Sequence, residues 1–342
     1  MSTTRPAGTP VDSRSSRAGR PRALVTGGAG FVGSHLVDRL VDEGVDVLVI
    51  DDISTGRVEQ LNRAARLERL DIAEADLGTT FRDWRAHIVF HLAAQSSVPA
   101  SMASPLRDLA VNVVGTHRVV AAAKSSGAGR LVFVSSGGAV FGEAARSSTE
   151  LTRPAPSSYY GIHKLAAEGH VALSGLPYAI ARPSNIYGPR QAAGLEGAVI
   201  ASFLEQARGG TLRIHGDGSQ SRDFVNVRDV VDALWLLGQT RAVGMWIVAS
   251  GRSVRIAEVA DLVEVASGRV LGRAYGPRRP GDVTRSALSP RRLRSLGWRP
   301  SISLGDGIRA LSDGSAHDFT QVGSRHHRGQ GTQVLSGDPG GS

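Results

Sequence analysis

Residues 26–33 read Thr-Gly-Gly-Ala-Gly-Phe-Val-Gly, set between the apolar run Ala23-Leu24-Val25 and a periodic run from His35 to Val41. An apolar run, a glycine turn and a helical apolar period predict a buried strand, a tight turn and a helix start. Gly28, Gly30 and Gly33 carry the G-x-G-x-x-G spacing, with Gly27 as an extra small residue. Glycines let the backbone approach a pyrophosphate closely, and a helix N-terminus offers free N–H groups and a positive dipole end. A glycine pattern alone also fits an ordinary tight turn. The strand–turn–helix order is what turns it into a phosphate-binding reading.

The rest of the chain continues the alternation. Apolar β-type runs fall at 22–26, 45–50, 88–92, 130–135 and 178–182, and helical patterns at 33–43, 57–65, 106–126 and 159–174. Strands alternating with helices predict an α/β fold, a Rossmann-type doubly wound parallel sheet with helices on both faces. Beyond about residue 190 the pattern loosens, with more Gly, Pro and Arg between elements. We expect a cofactor-binding domain over 21–190 and a smaller α+β substrate-binding portion over 191–312, with some elements interleaved. Residues 1–20 and 313–342 are rich in small and polar residues and read as disordered ends.

Composition excludes several classes. The 342 residues contain no cysteine, so disulfides, thiolate metal sites and cysteine nucleophiles are absent. No apolar run reaches the length of a membrane span, and the polar N-terminus is not a signal peptide, so the cytoplasm is the expected compartment. The net charge of +9 raises the question of nucleic acid, but aromatic residues make up only 5% of the chain. Stacking platforms are therefore scarce, and no nucleic-acid partner is expected. The basic residues concentrate in the N-terminal arm and between Arg269 and Arg299, which suits an arginine-rich site for a small phosphorylated ligand. His326-His327 in the tail reads as solvated, and no metal site is expected.

Ligands of such sheets lie beyond the carboxyl ends of the strands, so the loops there matter most. Asp51 follows the second strand, 21 residues beyond Gly30, where an acidic residue takes a ribose hydroxyl. A 2′-phosphate would be repelled there, which favours NAD over NADP. Ala93 and Ala94 follow the fourth strand and leave room for a dinucleotide against the backbone, while His91 before them reads as a locally satisfied packing residue. Asn112, mid-helix, costs helix propensity and suggests a polar task or solvent exposure.

Tyr160 and Lys164 stand four apart at the start of a helix and so share a face. A phenol titrates near ~10, and a neighbouring ammonium lowers that value towards a general base for a sugar or alcohol hydroxyl. A Tyr-x-x-x-Lys pair alone is common; its place after a nucleotide-binding array gives it weight.

These motifs, with residues 51–56, Asp71-Ile72, 91–95, 134–142, 182–190, 216–225, 279–282 and 296–298, resemble the extended short-chain dehydrogenase/reductase family of the NAD-dependent epimerase/dehydratase type. The resemblance runs from about residue 22 to 312, and the wording of 51–56 and 135–142 is most similar to the UDP-glucose 4-epimerase branch. It implies NAD held by Gly27, Gly30, Phe31, Val32, Gly33, Asp51, Asp52, Ser54, Thr55, Gly56, Asp71, Ile72, Leu92, Ala93, Ala94, Asn112, Tyr160, Lys164 and Pro183. It implies a nucleotide diphosphate sugar, a UDP-sugar first, on Asn185, Arg222, Arg279 and Asp282. Arginine's fork of donors suits diphosphate oxygens. The implied chemistry is transient oxidation at C4 with Tyr160 as base, Lys164 beside it, and hydride return to the other face. The implied assembly is a homodimer through helices 106–126 and 159–174.

Two positions depart from the family pattern. Gly137 stands where a Ser or Thr is usual, so Ser136 is the expected catalytic hydroxyl, and Phe141 replaces a frequent tyrosine. A 4,6-dehydratase would want an Asp-Glu pair where Gly138-Ala139 stand, and a decarboxylase a glutamate at Ala139. A reductase would use the same Tyr and Lys, and a silent NAD- or nucleotide-sugar-binding protein is the reading from another class.

Overall fold

The structure, a computed structural model, describes residues 19–143, 146–194, 197–278 and 283–315. Arg279 and Asp282 lie outside the described residues, as do His326-His327 and most of both chain ends.

The strands are β1 (Arg22–Thr26), β2 (Asp46–Ile50), β3 (Arg66–Glu68), β4 (Ile88–His91), β5 (Arg130–Val134), β6 (Tyr178–Pro183), β7 (Asn185–Tyr187), β8 (Thr211–His215), β9 (Ser221–Asn226), β10 (Gly244–Val248), β11 (Ser253–Arg255) and β12 (Gly272–Gly276). Seven of them form one sheet in the order β10-β6-β5-β4-β1-β2-β3, parallel at every pairing. The chain order reverses between β1 and β4, which opens a crevice at the carboxyl edge. The sheet is buried on both faces, as parallel sheets require. In β1, Ala23 and Val25 join one core and Leu24 the other.

The helices are α1 (Phe31–Asp42), α2 (Gly78–Trp84), α3 (Val98–Ala103), α4 (Pro105–Leu109), α5 (Thr116–Ser125), α6 (Gly137–Phe141), α7 (Tyr159–Ala172), α8 (Val199–Arg208), α9 (Val227–Gln239), α10 (Ile256–Ser267), α11 (Arg291–Ser295) and α12 (Leu304–Ser312). One face of the sheet is covered by α1 and α9 through Leu36, Leu40, Val230 and Leu234. The other is covered by α2, α5 and α7 through Phe81, Val119, Ala123, Ala167 and Val171. Past residue 190 the chain does two things. It returns β10 and α9 to the large sheet, and, together with the earlier β7, it builds a smaller layer from β9 and β11, from β8 and β12, and from α8, α10 and α12. That layer has its own core around Phe203, Leu212, Phe224 and Val259.

Two local expectations change. The helical pattern at 57–65 gives only a single 3-10 turn, Val58–Gln60. Here Arg57 N–H donates to the Ala29 carbonyl, and Asn62 turns on itself by accepting Ala64 N–H, so the segment is spent wrapping the glycine turn. The long helix expected over 106–126 is interrupted by a π-helical stretch, Ala110–Gly115, between α4 and α5. Such insertions concentrate at functional sites because they re-aim side chains. This one carries Asn112 inward, and at Gly115 a Cβ would meet the Ile72 side chain at 2.8 Å.

Among the described residues no helix is long and apolar enough to cross a membrane, and no group of three metal-ligating side chains occurs.

Candidate active site

The glycine turn is built by contact. A Cβ at Gly33 would stand 2.0 Å from the Gly27 carbonyl oxygen, and one at Gly27, where φ is +72°, 2.5 Å from the Ala93 nitrogen. A Cβ at Gly28 would meet Val49 at 2.7 Å, and one at Gly56 would meet the Ala29 carbonyl group at 2.9 Å. The turn, the loop after β4 and the loop after β2 are thus packed backbone to backbone. Gly30 caps α1 without a side-chain acceptor, and the first turn of α1 carries no acidic residue. Phe31, Val32 and Gly33 therefore open a helix whose first N–H groups and positive end suit an anion.

Asp51 closes the other side. Its carboxylate accepts Ala29 N–H at 2.9 Å and Ile53 N–H at 2.8 Å, which fixes it at the tip of β2 over the glycine turn. Burial pushes its pKa up, and these two bonds oppose the rise. Asp52 is exposed and holds Ser54 through its N–H and hydroxyl; Thr55 is exposed beside them. Asp71 turns on Ala73 N–H at 2.8 Å, and the Ile72 side chain is buried in the core. A cradle that excludes Cβ atoms, an uncapped helix start and a fixed carboxylate together fit a dinucleotide with free ribose hydroxyls.

The loop after β4 is held by His91. Thr116 Oγ1 donates to the Asn112 carbonyl, so it accepts from His91 Nε2–H at 2.9 Å, and His91 Nδ1 accepts from Thr26 Oγ1 at 2.6 Å. Thr26 Oγ1 in turn accepts Ala93 N–H at 3.3 Å, and the Leu92 N–H donates to the Thr26 carbonyl. Burial drives the His91 pKa down to about 3, so the ring is neutral and serves as a spacer, the packing role read from the sequence. Because the unfolded ring binds a proton near 6.5 and the native one near 3, this group's contribution to stability is lost as pH falls from about 6.5 towards 3.

Asn112 Nδ2 donates to the Gln95 carbonyl at 2.9 Å and to Asp108 at 3.0 Å, while its buried Oδ1 has no hydrogen-bond partner. Asp108 is itself buried and also accepts from Gln95 at 2.6 Å and His163 at 2.6 Å. Sequence reasoning passed over Asp108 and His163. The only local sign was His163 directly before Lys164.

Two serines set the start of α7. Ser158 accepts Gly161 N–H at 3.2 Å and Ser101, reaching over from α3, accepts Tyr160 N–H at 3.1 Å. Both satisfy N–H groups that a helix start leaves open. A Cβ at Gly161 would lie 2.3 Å from the Ala139 carbonyl, so α7 begins in direct contact with α6. Lys164 is buried, its ammonium donating to the Val134 carbonyl at 2.6 Å and lying 4.3 Å over the Phe133 ring. Burial pushes its pKa down to about 7, with the charges of Glu168 and Asp108 opposing the fall. Glu168 makes a two-pronged pair with Arg182 at 2.8 and 2.6 Å and also accepts the Ser135 hydroxyl at 2.5 Å. Its spacing from Lys164, four residues along α7, was the unused signal.

The cost of burying the Lys164 ammonium has a testable consequence. The unfolded side chain keeps its proton to about 10.5 and the native one to about 7. Below about pH 7 the full cost is present, and it is relieved as pH rises between these values. Lys164→Met is therefore expected to raise Tm by about 2–4 °C at pH 6, with the gain shrinking by pH 9. A Tm lowered at pH 6 would contradict this.

The serine strand resolves the departure at position 137. A Cβ there would stand 2.5 Å from Leu288 Cδ1 and 3.0 Å from the Pro183 carbonyl, so a side chain at 137 is crowded and needs the Leu288 side chain to shift. Ser135 is spent on Glu168. Ser136 caps α6 by accepting Ala139 N–H at 3.4 Å, which leaves its own proton to donate. Phe141, in place of the tyrosine, faces the Arg182 guanidinium at 4.7 Å. Gly137→Ser is expected to cost about 1–3 kcal/mol by overpacking, seen in denaturant melts, and to be partly rescued by adding Leu288→Ala. An unchanged melt would mean that the crowding is not real.

Of the four expected substrate contacts, two are described. Asn185 opens β7 and donates to the Asp223 carbonyl at 3.2 Å, and Arg222 lies on β9 and donates to the Ser221 carbonyl at 3.0 Å. Between them Asp223 is buried and accepts from Ser184, Ser250 and Gly251, tying together the loops after β6 and β10. Glu143, just after α6, accepts Thr284 and Arg285 N–H at 2.6 and 2.9 Å and so tethers the segment that follows residues 279–282.

Comparison with known proteins agrees with this geometry. The chain is 40% identical over 300 residues to the UDP-glucose 4-epimerase of Mycolicibacterium smegmatis, covering 84% of this chain and 96% of that protein. Among solved structures it is similar to the Thermus thermophilus UDP-glucose 4-epimerase in complex with NAD, with TM-score 0.82, 36% identity and coverage of 85% and 98%. It is equally similar to the Thermotoga maritima UDP-glucose 4-epimerase with UDP-glucose, with TM-score 0.82, 36% identity and coverage of 85% and 97%. The sequence model of the NAD dependent epimerase/dehydratase family matches residues 23–248, and together with the parallel sheet, the glycine cradle and the Tyr160–Lys164 helix start, this match shows that the chain belongs to that family.

Proposed function

We propose that the chain is an NAD-dependent nucleotide-sugar 4-epimerase acting on a UDP-sugar of the glucose/galactose or of the hexuronate type. The observation that carries this reading is the fixed start of α7, where Ser158 and Ser101 hold the backbone around Tyr160 and Lys164 lies buried one turn on. NAD, when bound, supplies the acceptor for the C4 hydrogen and gives it back, so no external reductant is consumed. Gly27, Gly30, Phe31, Val32 and Gly33 would hold its pyrophosphate, and Asp51 its ribose hydroxyls. The loops at 52–56, 71–72 and 92–94, with Asn112 and Pro183, would line its remaining length.

The proton chemistry belongs to the protein. Tyr160 as phenolate takes the proton of the sugar 4-hydroxyl, and Ser136 donates to the same oxygen. Lys164, charged below about pH 7 before any ligand adds negative charge, favours the phenolate. Asn185, Arg222, Arg279 and Asp282 grip the nucleotide diphosphate, which lets the sugar turn its other face without leaving. Gly138 and Ala139 put no acid beside this site, which disfavours dehydration and decarboxylation. A panel of UDP- and dTDP-sugars, assayed by chromatography without NADH, tests the substrate class. Product from UDP-glucose supports it, and product only on adding NADH would mean a reductase.

The same reading includes a homodimer through the outer face of the stretch from α4 to α5 and of α7, where Leu106 of α4, Val114 of the π-helical stretch, Ile162 of α7 and Leu173 at its end stand exposed. Exposed large apolar side chains along these neighbouring segments support it. It also places the enzyme in the cytoplasm, with its 21–190 and 191–312 portions serving cofactor and sugar.

A further inference from the structure

The glycine cradle lies at the carboxyl edge of the large sheet, and a second cavity opens at its amino edge. The cavity has a volume of about 520 Å³, within the ~300–1,000 Å³ usual for small-molecule sites. Its wall carries the first residues of three neighbouring strands, Arg22 of β1, Asp46 of β2 and Arg66 of β3. Arg20, Asp83, Trp84 and His87 join them. Among the described residues, the guanidinium groups of Arg20, Arg22 and Arg66 and the carboxylates of Asp46 and Asp83 have no hydrogen bond or ion pair. Groups of opposite charge that share a cavity without pairing leave both sets open to a ligand. The wall itself is preset. The Pro21 carbonyl accepts Asp46 N–H at 2.9 Å, the Arg22 carbonyl accepts His87 N–H at 2.8 Å, and Trp84 Nε1 donates to the Ala23 carbonyl at 2.9 Å.

We propose that this cavity binds a phosphate monoester carried on a hydroxyl-rich body, a sugar phosphate or a nucleotide. Arginine's fork of donors matches phosphate oxygens. The Arg66 guanidinium lies 5.4 Å over the Trp84 ring, a stacking that leaves its in-plane N–H donors for an acceptor. His87 Nδ1 accepts the Arg22 N–H at 3.0 Å, which puts the ring proton on Nε2 as a further donor. Asp46 and Asp83 can only accept, so they take hydroxyl donors from the body of the ligand and repel a bare phosphate. Three cationic and two anionic side chains suit one phosphate group better than a chain of them. The site is separate from the cofactor cradle. Arg22 starts β1 and Thr26 ends it, so the five-residue strand sets the cavity and the glycine turn roughly 16 Å apart.

The test titrates glucose 1-phosphate, AMP and inorganic phosphate calorimetrically into the full chain saturated with NAD. At least one of the two esters should bind, and more tightly than inorganic phosphate; which one binds tells a sugar phosphate from a nucleotide. A hydrogen bond to a charged group is the stake, so Arg22→Ser and Arg66→Ser should each weaken the ester by about 10- to 100-fold. Arg66→Lys should lose less, since it keeps the charge and gives up only the fork. Asp83→Asn should weaken the ester and tighten inorganic phosphate, because it removes a hydroxyl acceptor and a repelling charge together. Arg66 and Asp83 are exposed, so ligand-free melts of their variants should stay close to the parent. Arg222→Ser, at the proposed sugar-nucleotide grip, should leave this binding unchanged. Ester binding lost in Arg222→Ser but kept in Arg66→Ser, inorganic phosphate binding as tightly as both esters, or no saturable binding of either ester would overturn the proposal.

Discussion

Tyr160→Phe is expected to lower kcat for epimerisation by about 100- to 10,000-fold, the usual worth of one general acid–base group. The substitution removes a single oxygen. The helix start stays in place because Ser158 and Ser101 accept from backbone N–H groups, not from the phenol. Lys164 stays buried against Val134 and Phe133 for the same reason. KM and bound NAD should therefore change little while kcat collapses. A variant within about twofold of the parent would show that the proton goes elsewhere. Ser136→Ala should give a smaller loss of the same kind, since a hydrogen bond to the reacting oxygen is removed but the base remains.

Gly33→Ala is the second large effect, and it strikes cofactor retention. The new methyl group would stand 2.0 Å from the Gly27 oxygen and 2.8 Å from Gly28 Cα. Both neighbours are backbone, and Gly27 is pinned in turn against Ala93, so no flexible group can yield. The turn must open, at a cost of about 1–3 kcal/mol or more, and the N–H groups aimed at the pyrophosphate lose register. The purified variant should carry little NAD and melt lower, whereas the parent should retain NAD through purification. Gly305→Ala in α12 is the control, with ordinary contact at 3.8 Å to Leu262, and should be neutral or stabilising by up to about 1 kcal/mol. Equal NAD content in the Gly33 variant and the parent would contradict this account of the cradle.

Much of this was legible in the sequence because it rests on local rules. The glycine spacing, the apolar strands and the acidic residue after β2 are read from periodicity and turn chemistry, and β1, α1 and β2 fall where expected. The segment at 57–65 was misread because its apolar spacing resembles a helix, while its backbone bonds go to Ala29 and to an asparagine turn. The π-helical stretch was hidden for a related reason. It ends at Gly115, where a Cβ would meet Ile72, a residue far away in the chain. Asp108, His163 and Glu168 drew no reading from the sequence, because only the fold buries Asp108 against His163 and Glu168 against Arg182. Position 137 shows the same limit from the other side. Its glycine looked like a lost hydroxyl, but only the packing of Leu288 and the Pro183 carbonyl shows that a side chain there would be crowded.

The central claim is that one hydrogen leaves C4 and returns to the same sugar while the protein manages the proton. UDP-glucose carrying deuterium at C4 tests it directly, with the purified chain, its retained NAD and no added NADH. The account predicts UDP-galactose that keeps the deuterium at C4, formed by the parent and not by Tyr160→Phe. Product that has lost the label, or that forms only as added NADH is consumed, would contradict it.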